Sequence, residues 1–352
     1  MTATATADPT LPELPAGWTA RVPRLDDVPA LIALRRADQL PWTGSDAVDE
    51  VGLEAEIVGT ASWSRRQVVA VDADDVPRGW VSMQDRAAGR AIVWGWIDRT
   101  LDDPGVIADP LYAWVEEQAI AVAQLRGIDE TRLDESPFGG DEAQREWLVR
   151  AGYTKRRTWM HMTRPVQPEE AVTHAQPRAG VVIRRVAKHD NGLPVAADLW
   201  TVHQMLEESF EDHFNSYRES FPEFVQRLRE DPGHRWDHWW LAYVGPEGGP
   251  EDGMEGDEIP AGALVCSVLA KNADGKEGSY VEYIGVNREA RGRGVAKSLL
   301  NRAIADAAER GRDRVGLEVD DDSPTKADRL YFSMGWVTDY VTDSWFKDLR
   351  VP

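Results

Sequence analysis

The sequence has little cysteine, a deficit of positive charge and no long apolar run. A single cysteine, Cys266, excludes an intramolecular disulfide, and its place in the apolar run 263–268 predicts a buried thiol in a strand. No stretch of about 18 apolar residues occurs, and the N-terminal segment has no basic region followed by an apolar one. These absences predict a cytoplasmic protein without a membrane span.

The charge balance is strongly acidic. The formal net charge is −21, with 61 Asp and Glu against 40 Lys and Arg. Nucleic acids and anionic membranes require clustered Lys and Arg, so the composition argues against both partners and suits a neutral or cationic small molecule. Acidity also serves solubility alone. His234 and His238 have the i, i+4 spacing of helical metal ligands but lack a third ligand, and we expect no metal.

The order of elements occurs twice, as the length of 352 residues leads one to expect. A strand pattern followed by a helix begins near Thr19 and again near Val181, and later helical patterns end at Gly127 and Gly311. Segments 147–153 and 330–336 also correspond. We therefore predict a flexible tail over residues 1–16, a first lobe over 17–164, a linker over 165–180 and a second lobe over 181–352.

A glycine-rich segment, 291–296, lies between a strand pattern at 281–286 and a helical pattern at 296–310. A strand, a tight turn and a helix N-terminus leave backbone N–H groups and the positive end of a helix dipole facing one point. The spacing excludes a Walker loop and a Rossmann fingerprint. The segment therefore predicts a phosphate site, with Lys297 just inside the helix adding positive charge.

The order R-G-x-G-x-A, helix, strand 315–320 and then L-Y-F-S-M-G-W at 330–336 resembles the GNAT N-acetyltransferase family. That family's signature is Q/R-x-x-G-x-G/A followed downstream by L-Y-x-x-x-G-F/W. The resemblance implies two tandem α/β GNAT folds, each a mixed sheet flanked by helices. It also implies acetyl-CoA as co-substrate, and direct transfer of the acetyl group to a primary amine of a small molecule.

Residue roles follow from the same resemblance. Glu282, the only carboxylate of its strand, is expected to act as base, directly or through water, and Tyr331 as the acid for the leaving thiolate. Strand alternation predicts Tyr280, Glu282 and Ile284 on one face. The expected cofactor-binding residues are Ile284, Gly285, Val286, Arg291, Gly292, Arg293, Gly294, Val295, Ala296, Lys297 and Ser323. The expected substrate-binding residues are Glu208, Asp212, His213 and Tyr280.

The first lobe lacks the phosphate loop. Its corresponding segment, 99–105, contains Asp102, Asp103 and Pro104, so carboxylates and a proline replace backbone donors. We expect a degenerate lobe that serves as a scaffold or shapes the substrate site, although binding of acyl-CoA in another way is an alternative. A tandem layout with one intact motif is similar to GNAT proteins of the mycothiol synthase-like type. Acetylation of a cysteinyl-pseudodisaccharide and a non-catalytic acyl-CoA sensor therefore stay open as alternatives, and the oligomeric state is not predicted.

Overall fold

A computed structural model of the chain describes residues 10–58, 65–86, 89–173, 176–210, 219–230, 234–245, 259–323 and 326–352. The chain divides into two compact units. The first unit comprises the chain up to Thr158 together with Tyr340–Pro352, and the second unit is Trp159–Asp339. The expected lobes differ from these units in their limits, because the last strand of the chain belongs to the first unit.

The first unit carries one mixed sheet and four helices within the described residues. In chain order the elements up to the end of the sixth strand are β1 (Thr19–Arg21), α1 (Val28–Thr43), α2 (Glu50–Val58), β2 (Arg65–Val71), β3 (Pro77–Asp85), β4 (Arg90–Ile97), α3 (Gly105–Arg126), β5 (Glu130–Glu135), α4 (Glu142–Arg150) and β6 (Thr154–Pro165). Of β6, residues 159–165 belong to the second unit.

The remaining elements build the second unit, and the last strand returns to the first. They are α5 (Glu170–Thr173), β7 (Val181–Arg185), α6 (Ala196–Phe210), α7 (Phe221–Glu230), β8 (His234–Val244), β9 (Ile259–Leu269), β10 (Gly278–Val286), α8 (Val295–Glu309), β11 (Arg314–Asp320), α9 (Ala327–Ser333) and β12 (Val337–Arg350).

The strands of the two units repeat one order. In the first unit the order is β1-β2-β3-β4-β5-β12, and in the second it is β7-β8-β9-β10-β11-β6. Neighbouring strands are antiparallel except β4 with β5 and β10 with β11. A parallel pair needs a crossover, which α3 provides in the first unit and α8 in the second. This common order confirms two tandem mixed α/β folds.

Helices cover both faces of the second unit's sheet. On one face α8 packs through Leu299, Leu300 and Ala303, and on the other α6 packs through Val202 and Met205. Strand β9 is buried on both sides, with alternate residues in each of the two clusters, which explains its unbroken apolar sequence. Cys266 on this strand is 1% exposed, which confirms the predicted buried thiol.

No helix in the described part of the chain combines the length and the apolarity that crossing a membrane requires.

Candidate functional site

The glycine-rich segment forms the turn that its sequence predicts. Strand β10 ends at Val286, a short 3-10 helix spans Arg288–Ala290, and α8 begins at Val295. Gly292 and Gly294 have φ of 81° and 84°, in the left-handed region that glycine adopts without strain. The two glycines therefore allow the chain to turn sharply from the sheet edge into the helix.

The turn presents a set of backbone donors at one point. The first amide of α8 with a backbone acceptor is that of Ser298, which donates to the carbonyl of Gly294 at 3.0 Å. Within the described residues no acceptor is found for the N–H groups of Gly292, Gly294 and the first three residues of α8. Together with the positive end of the helix dipole, such donors favour a negatively charged ligand.

Arg178, from the segment predicted to be a linker, lies across this turn. Its guanidinium Nη1 is 3.4 Å from the carbonyl oxygen of Gly292, and a Cβ built on Gly294 would come within 2.9 Å of its Cδ. Arg178 was not among the site residues predicted from the sequence. The only signal was a basic residue at the end of the linker, and nothing local relates it to a loop 114 residues away.

The parallel strands β10 and β11 part beside the turn. They pair only from Ser279 to Val281, opposite Val315 to Leu317, although both strands continue further. Beyond that point Ile284, Gly285 and Val286 pair with β9 on the other side. The edge of β10 that faces the opening therefore offers backbone groups over these residues, as the prediction of pantetheine pairing requires.

Glu282 lies where the strands part, at a β-bulge. The register of β10 with β9 shifts between Val281 and Tyr283, so Glu282 is the extra residue. Its side chain is exposed, and the hydroxyl of Ser267 donates a hydrogen bond to Oε1 at 2.5 Å. The Ser267 hydroxyl thus fixes one oxygen of the Glu282 carboxylate.

The bulge corrects the predicted alternation of β10. Val281 and Ile284 both pack against the α8 cluster, whereas Tyr283 packs against the α6 cluster. Strict alternation had placed Ile284 with Glu282 and Val281 with Tyr283, which is wrong. An extra residue in one strand reverses the faces of all residues that follow it.

Tyr331 occupies the buried face of α9. It is 6% exposed, its ring lies 6.0 Å from that of Trp336, and burial raises the pKa of its phenol to about 12. Its hydroxyl has no hydrogen-bond partner in the described part of the chain. A protonated phenol without a partner can donate to a developing thiolate.

The side chains of the glycine-rich segment and of the residues near it differ in their contacts and exposure. Arg293 donates through Nη2 to the carbonyl oxygen of Gly245 at 2.8 Å, so its guanidinium is bound to the end of β8. Arg291 and Lys297 are exposed. Ser323 lies in the turn between β11 and α9, where its backbone bonds to Asp320 and Lys326.

Of the four predicted substrate-binding residues, two lie in the part of the chain that the structure describes. Glu208 on α6 accepts a hydrogen bond from the Asn287 side chain at 2.9 Å, directly after β10. Tyr280 lies before the strands part, where a Cβ built on Gly316 would come within 3.2 Å of its ring. Asp212 and His213 lie outside the described residues.

In the corresponding turn of the first unit, the backbone amides donate hydrogen bonds to acceptors of the turn itself. The Asp103 carboxylate accepts from the N–H of Gly105 at 3.1 Å, and the Asp103 carbonyl accepts from Val106 at 3.3 Å. The carbonyl of Pro104 accepts from Ile107 and Ala108. The amides at the start of α3 are thus paired internally, whereas the first amides of α8 have no acceptor among the described residues.

The second unit thus combines a parted pair of parallel strands, a loop whose amides have no acceptor among the described residues, and a carboxylate at the opening. The sequence model of the acetyltransferase (GNAT) family matches residues 202–336, which include the strand, the loop and Tyr331. This segment of the second unit, over a third of the chain, is therefore similar in sequence to GNAT acetyltransferases.

Solved structures share the whole architecture. A GNAT N-acetyltransferase from Sphaerobacter thermophilus is 21% identical, with a TM-score of 0.68 over 96% of this chain and 98% of that one. A tandem GNAT protein from the clavulanic acid biosynthesis pathway is 12% identical, with a TM-score of 0.64 over 94% and 98%. These likenesses support the tandem fold, and they do not confirm the mycothiol synthase-like type. Among curated proteins no significant match exists.

Proposed function

We propose that the second unit transfers an acetyl group from acetyl-CoA to a primary amine of a small molecule. The observation that carries this proposal is the set of unpaired amides at Gly292, Gly294 and the start of α8, next to the free edge of β10. The amides would bind the pyrophosphate, and the backbone of residues 284–286 would pair with the pantetheine chain. This arrangement directs the thioester toward Glu282.

The reaction is a direct attack. The protonated amine first gives one proton to the Glu282 carboxylate, directly or through one water molecule, and the neutral nitrogen then attacks the thioester carbon. The C–N bond forms, the nitrogen releases its second proton to solvent as the tetrahedral intermediate collapses, the C–S bond breaks, and the leaving thiolate takes a proton from the Tyr331 hydroxyl. The proton on Glu282 returns to solvent and Tyr331 regains one, so that both groups are restored. Ser267 is proposed to position Glu282 through the hydrogen bond to Oε1.

Tyr331→Phe is expected to lower kcat by about 10²-fold, because it removes the donor to the thiolate and no other described bond. Since burial raises the pKa of Tyr331 to about 12, the phenol stays protonated through the usual assay range. Deprotonation of Tyr331 should therefore not lower the wild-type kcat at any pH below 10. An unperturbed tyrosine, with a pKa of about 10, would begin to lower kcat in that range. A basic limb near pH 10 that disappears in Tyr331→Phe would contradict the assigned pKa, and an unchanged kcat would contradict the role.

Arg178→Ala is expected to raise the KM for acetyl-CoA by about 5-fold with kcat unchanged. The guanidinium lies over the turn, where it would add a charge-assisted hydrogen bond to a phosphate, worth about 1 kcal/mol at an exposed site. Arg293→Ala is the matched control, because it removes the same charge from a guanidinium bonded to Gly245. Equal effects of the two variants on KM would assign the loss to overall charge rather than to the position of Arg178.

The proposed reaction is tested with purified protein, acetyl-CoA and a panel of amines read by mass spectrometry. The panel should hold polyamines, aminoglycosides, a cysteinyl-pseudodisaccharide and glucosamine, since a solved structure of similar fold is described as a glucosamine N-acetyltransferase region. We expect an acetylated amine and free CoA in equal amounts, and no acetylated protein. Binding of acetyl-CoA without transfer to any amine would favour the sensor alternative.

A further inference from the structure

The first unit contains a cavity of about 360 Å³ that the proposed reaction does not use. It lies between α1, α2, the C-terminal half of β4 and the segment after β5. All of its described lining residues belong to the first unit. The described lining residues are Arg35, Asp38, Gln39, Glu56, Trp94, Trp96 and Phe138.

The positive charge on one wall of the cavity, that of Arg35, is already paired. The Arg35 guanidinium lies 4.3 Å from the ring centroid of Trp96 and bonds to the Glu56 carboxylate at 2.5 Å. Trp96 itself stacks on Trp80, with ring centroids 4.3 Å apart. The positive charge of Arg35 is thus paired, and the aromatic surfaces that face the cavity without a cation on them are those of Trp94 and Phe138.

Apart from the buried Nε of Arg35, which has no hydrogen-bond partner in the described part of the chain, the polar groups left over in the lining are acceptors. The amide nitrogen of Gln39 donates to the carbonyl oxygens of Ser45 and Ala47, at 3.0 and 2.8 Å, which leaves its oxygen as the available group. Asp38 Oδ1 is 3.2 Å from Arg99 Nη2. Asp38 Oδ2 receives no hydrogen bond from any described residue.

Arg99 compensates Asp38 only weakly. The same Nη2 has shorter hydrogen bonds, of 2.6 Å to Asp141 and 2.9 Å to Gln144. Burial raises the pKa of Asp38 to about 6 even with Arg99 beside it. At pH 7.5 the carboxylate is therefore mostly ionised, enclosed, and short of donors, and a buried charge in this condition gains most from a cationic donor.

We propose that this cavity binds a primary amine carried on an aromatic or apolar body, with the ammonium on Asp38 and Gln39 and the body against Trp94 and Phe138. An ammonium brings three donors to these acceptors and a cation to the aromatic faces. An anion would meet Asp38 and Glu56, and a neutral compound would leave Asp38 without a counter-charge. Since the amides at the start of α3 are paired internally, the cavity is a binding site and not a second centre for acyl transfer.

The test is calorimetry of the full chain at pH 7.5 with 2-phenylethylamine as probe. We expect it to bind at least about 10-fold more tightly than 2-phenylethanol or 3-phenylpropionate, which keep the ring and lose the charge or reverse it. Asp38→Asn should lower the affinity for 2-phenylethylamine by at least about 10-fold, because the amide retains the hydrogen bond to Arg99 and lacks the negative charge. Asp46→Asn, with the same charge change at an exposed position outside the lining, should leave binding unchanged.

Trp94→Leu is a second variant, which leaves every charge in place. It should also lower the affinity for 2-phenylethylamine. The proposal is overturned if Asp38→Asn and Trp94→Leu, both folded by circular dichroism, bind the amine as the wild type does. It is overturned equally if the wild type shows no preference for the amine. Glu282→Gln separates this site from the proposed catalytic one, because it should retain amine binding in the first unit, and loss of binding there would assign the amine to the second unit.

Discussion

Gly294→Glu is expected to reduce the affinity for CoA by at least about 10²-fold. The residue has φ of 84°, where a side chain is strained, and the new carboxylate would start at a Cβ only 2.9 Å from the Arg178 side chain. It would also bring a negative charge within a few ångströms of the pyrophosphate, and two unit charges 4 Å apart near a protein surface interact by about 4 kcal/mol. Calorimetry of wild type and variant with CoA measures the loss.

The matched control is Gly311→Glu. Gly311 follows the other end of α8, has φ of 70° and has no atom within 4 Å of its Cβ position. Both substitutions therefore carry a similar backbone cost, about 1–2 kcal/mol, and the same change in charge. Only Gly294→Glu should lose CoA binding. Similar affinities for the two variants would mean that the glycine-rich turn does not bind the coenzyme.

Glu282→Gln is expected to lower kcat by 10² to 10³-fold, on the order found for loss of a general base, with little change in the KM for acetyl-CoA. The amide keeps an acceptor for the Ser267 hydroxyl, so the strand and its bulge should be preserved. The loss should shrink as the pH rises toward the pKa of the amine, near 10 for an alkylamine, because more of the amine is then already deprotonated.

Glu289→Gln provides the control for charge, since Glu289 is an exposed carboxylate in the 3-10 helix directly after β10. It should retain wild-type kcat. If Glu282→Gln also retains wild-type kcat with an amine that the wild type acetylates, another group must accept the proton.

The glycine-rich turn could be predicted because its cause is local. Gly292 and Gly294 are needed where they stand, and the strand before them and the helix after them have their own periodicities. The same reasoning predicts the closed turn of the first unit, since Asp103 and Pro104 pair or remove donors within a few residues of where they lie. Order along the chain was sufficient for both.

Features that depend on distant pairing could not be predicted. Residues 340–350 of β12 complete the sheet of the first unit by pairing with β5, more than 200 residues earlier, and no local pattern specifies that partner. The bulge at Glu282 has no sequence signal either, because its composition is that of an ordinary strand. Arg178 reaches the turn only through the folded path of the segment before β7.

The cavity of the first unit illustrates a different limit. Asp38, Trp94 and Phe138 come from a helix, a strand and a loop, and each taken alone fits an ordinary amphipathic or half-buried position. Only the packing of these elements leaves the Asp38 side chain largely buried, with one long hydrogen bond, from Arg99, among the described residues. A lobe that the missing loop motif marks as degenerate can therefore still hold a binding site.

The central claim is that one of two related folds binds the coenzyme. The most direct measurement is the stoichiometry of acetyl-CoA binding to the full wild-type chain by titration calorimetry. The unpaired amides at α8 and the paired amides at α3 predict one site per chain, and that site should disappear in Gly294→Glu. Two equivalent sites per chain, or no site at all, would contradict this account.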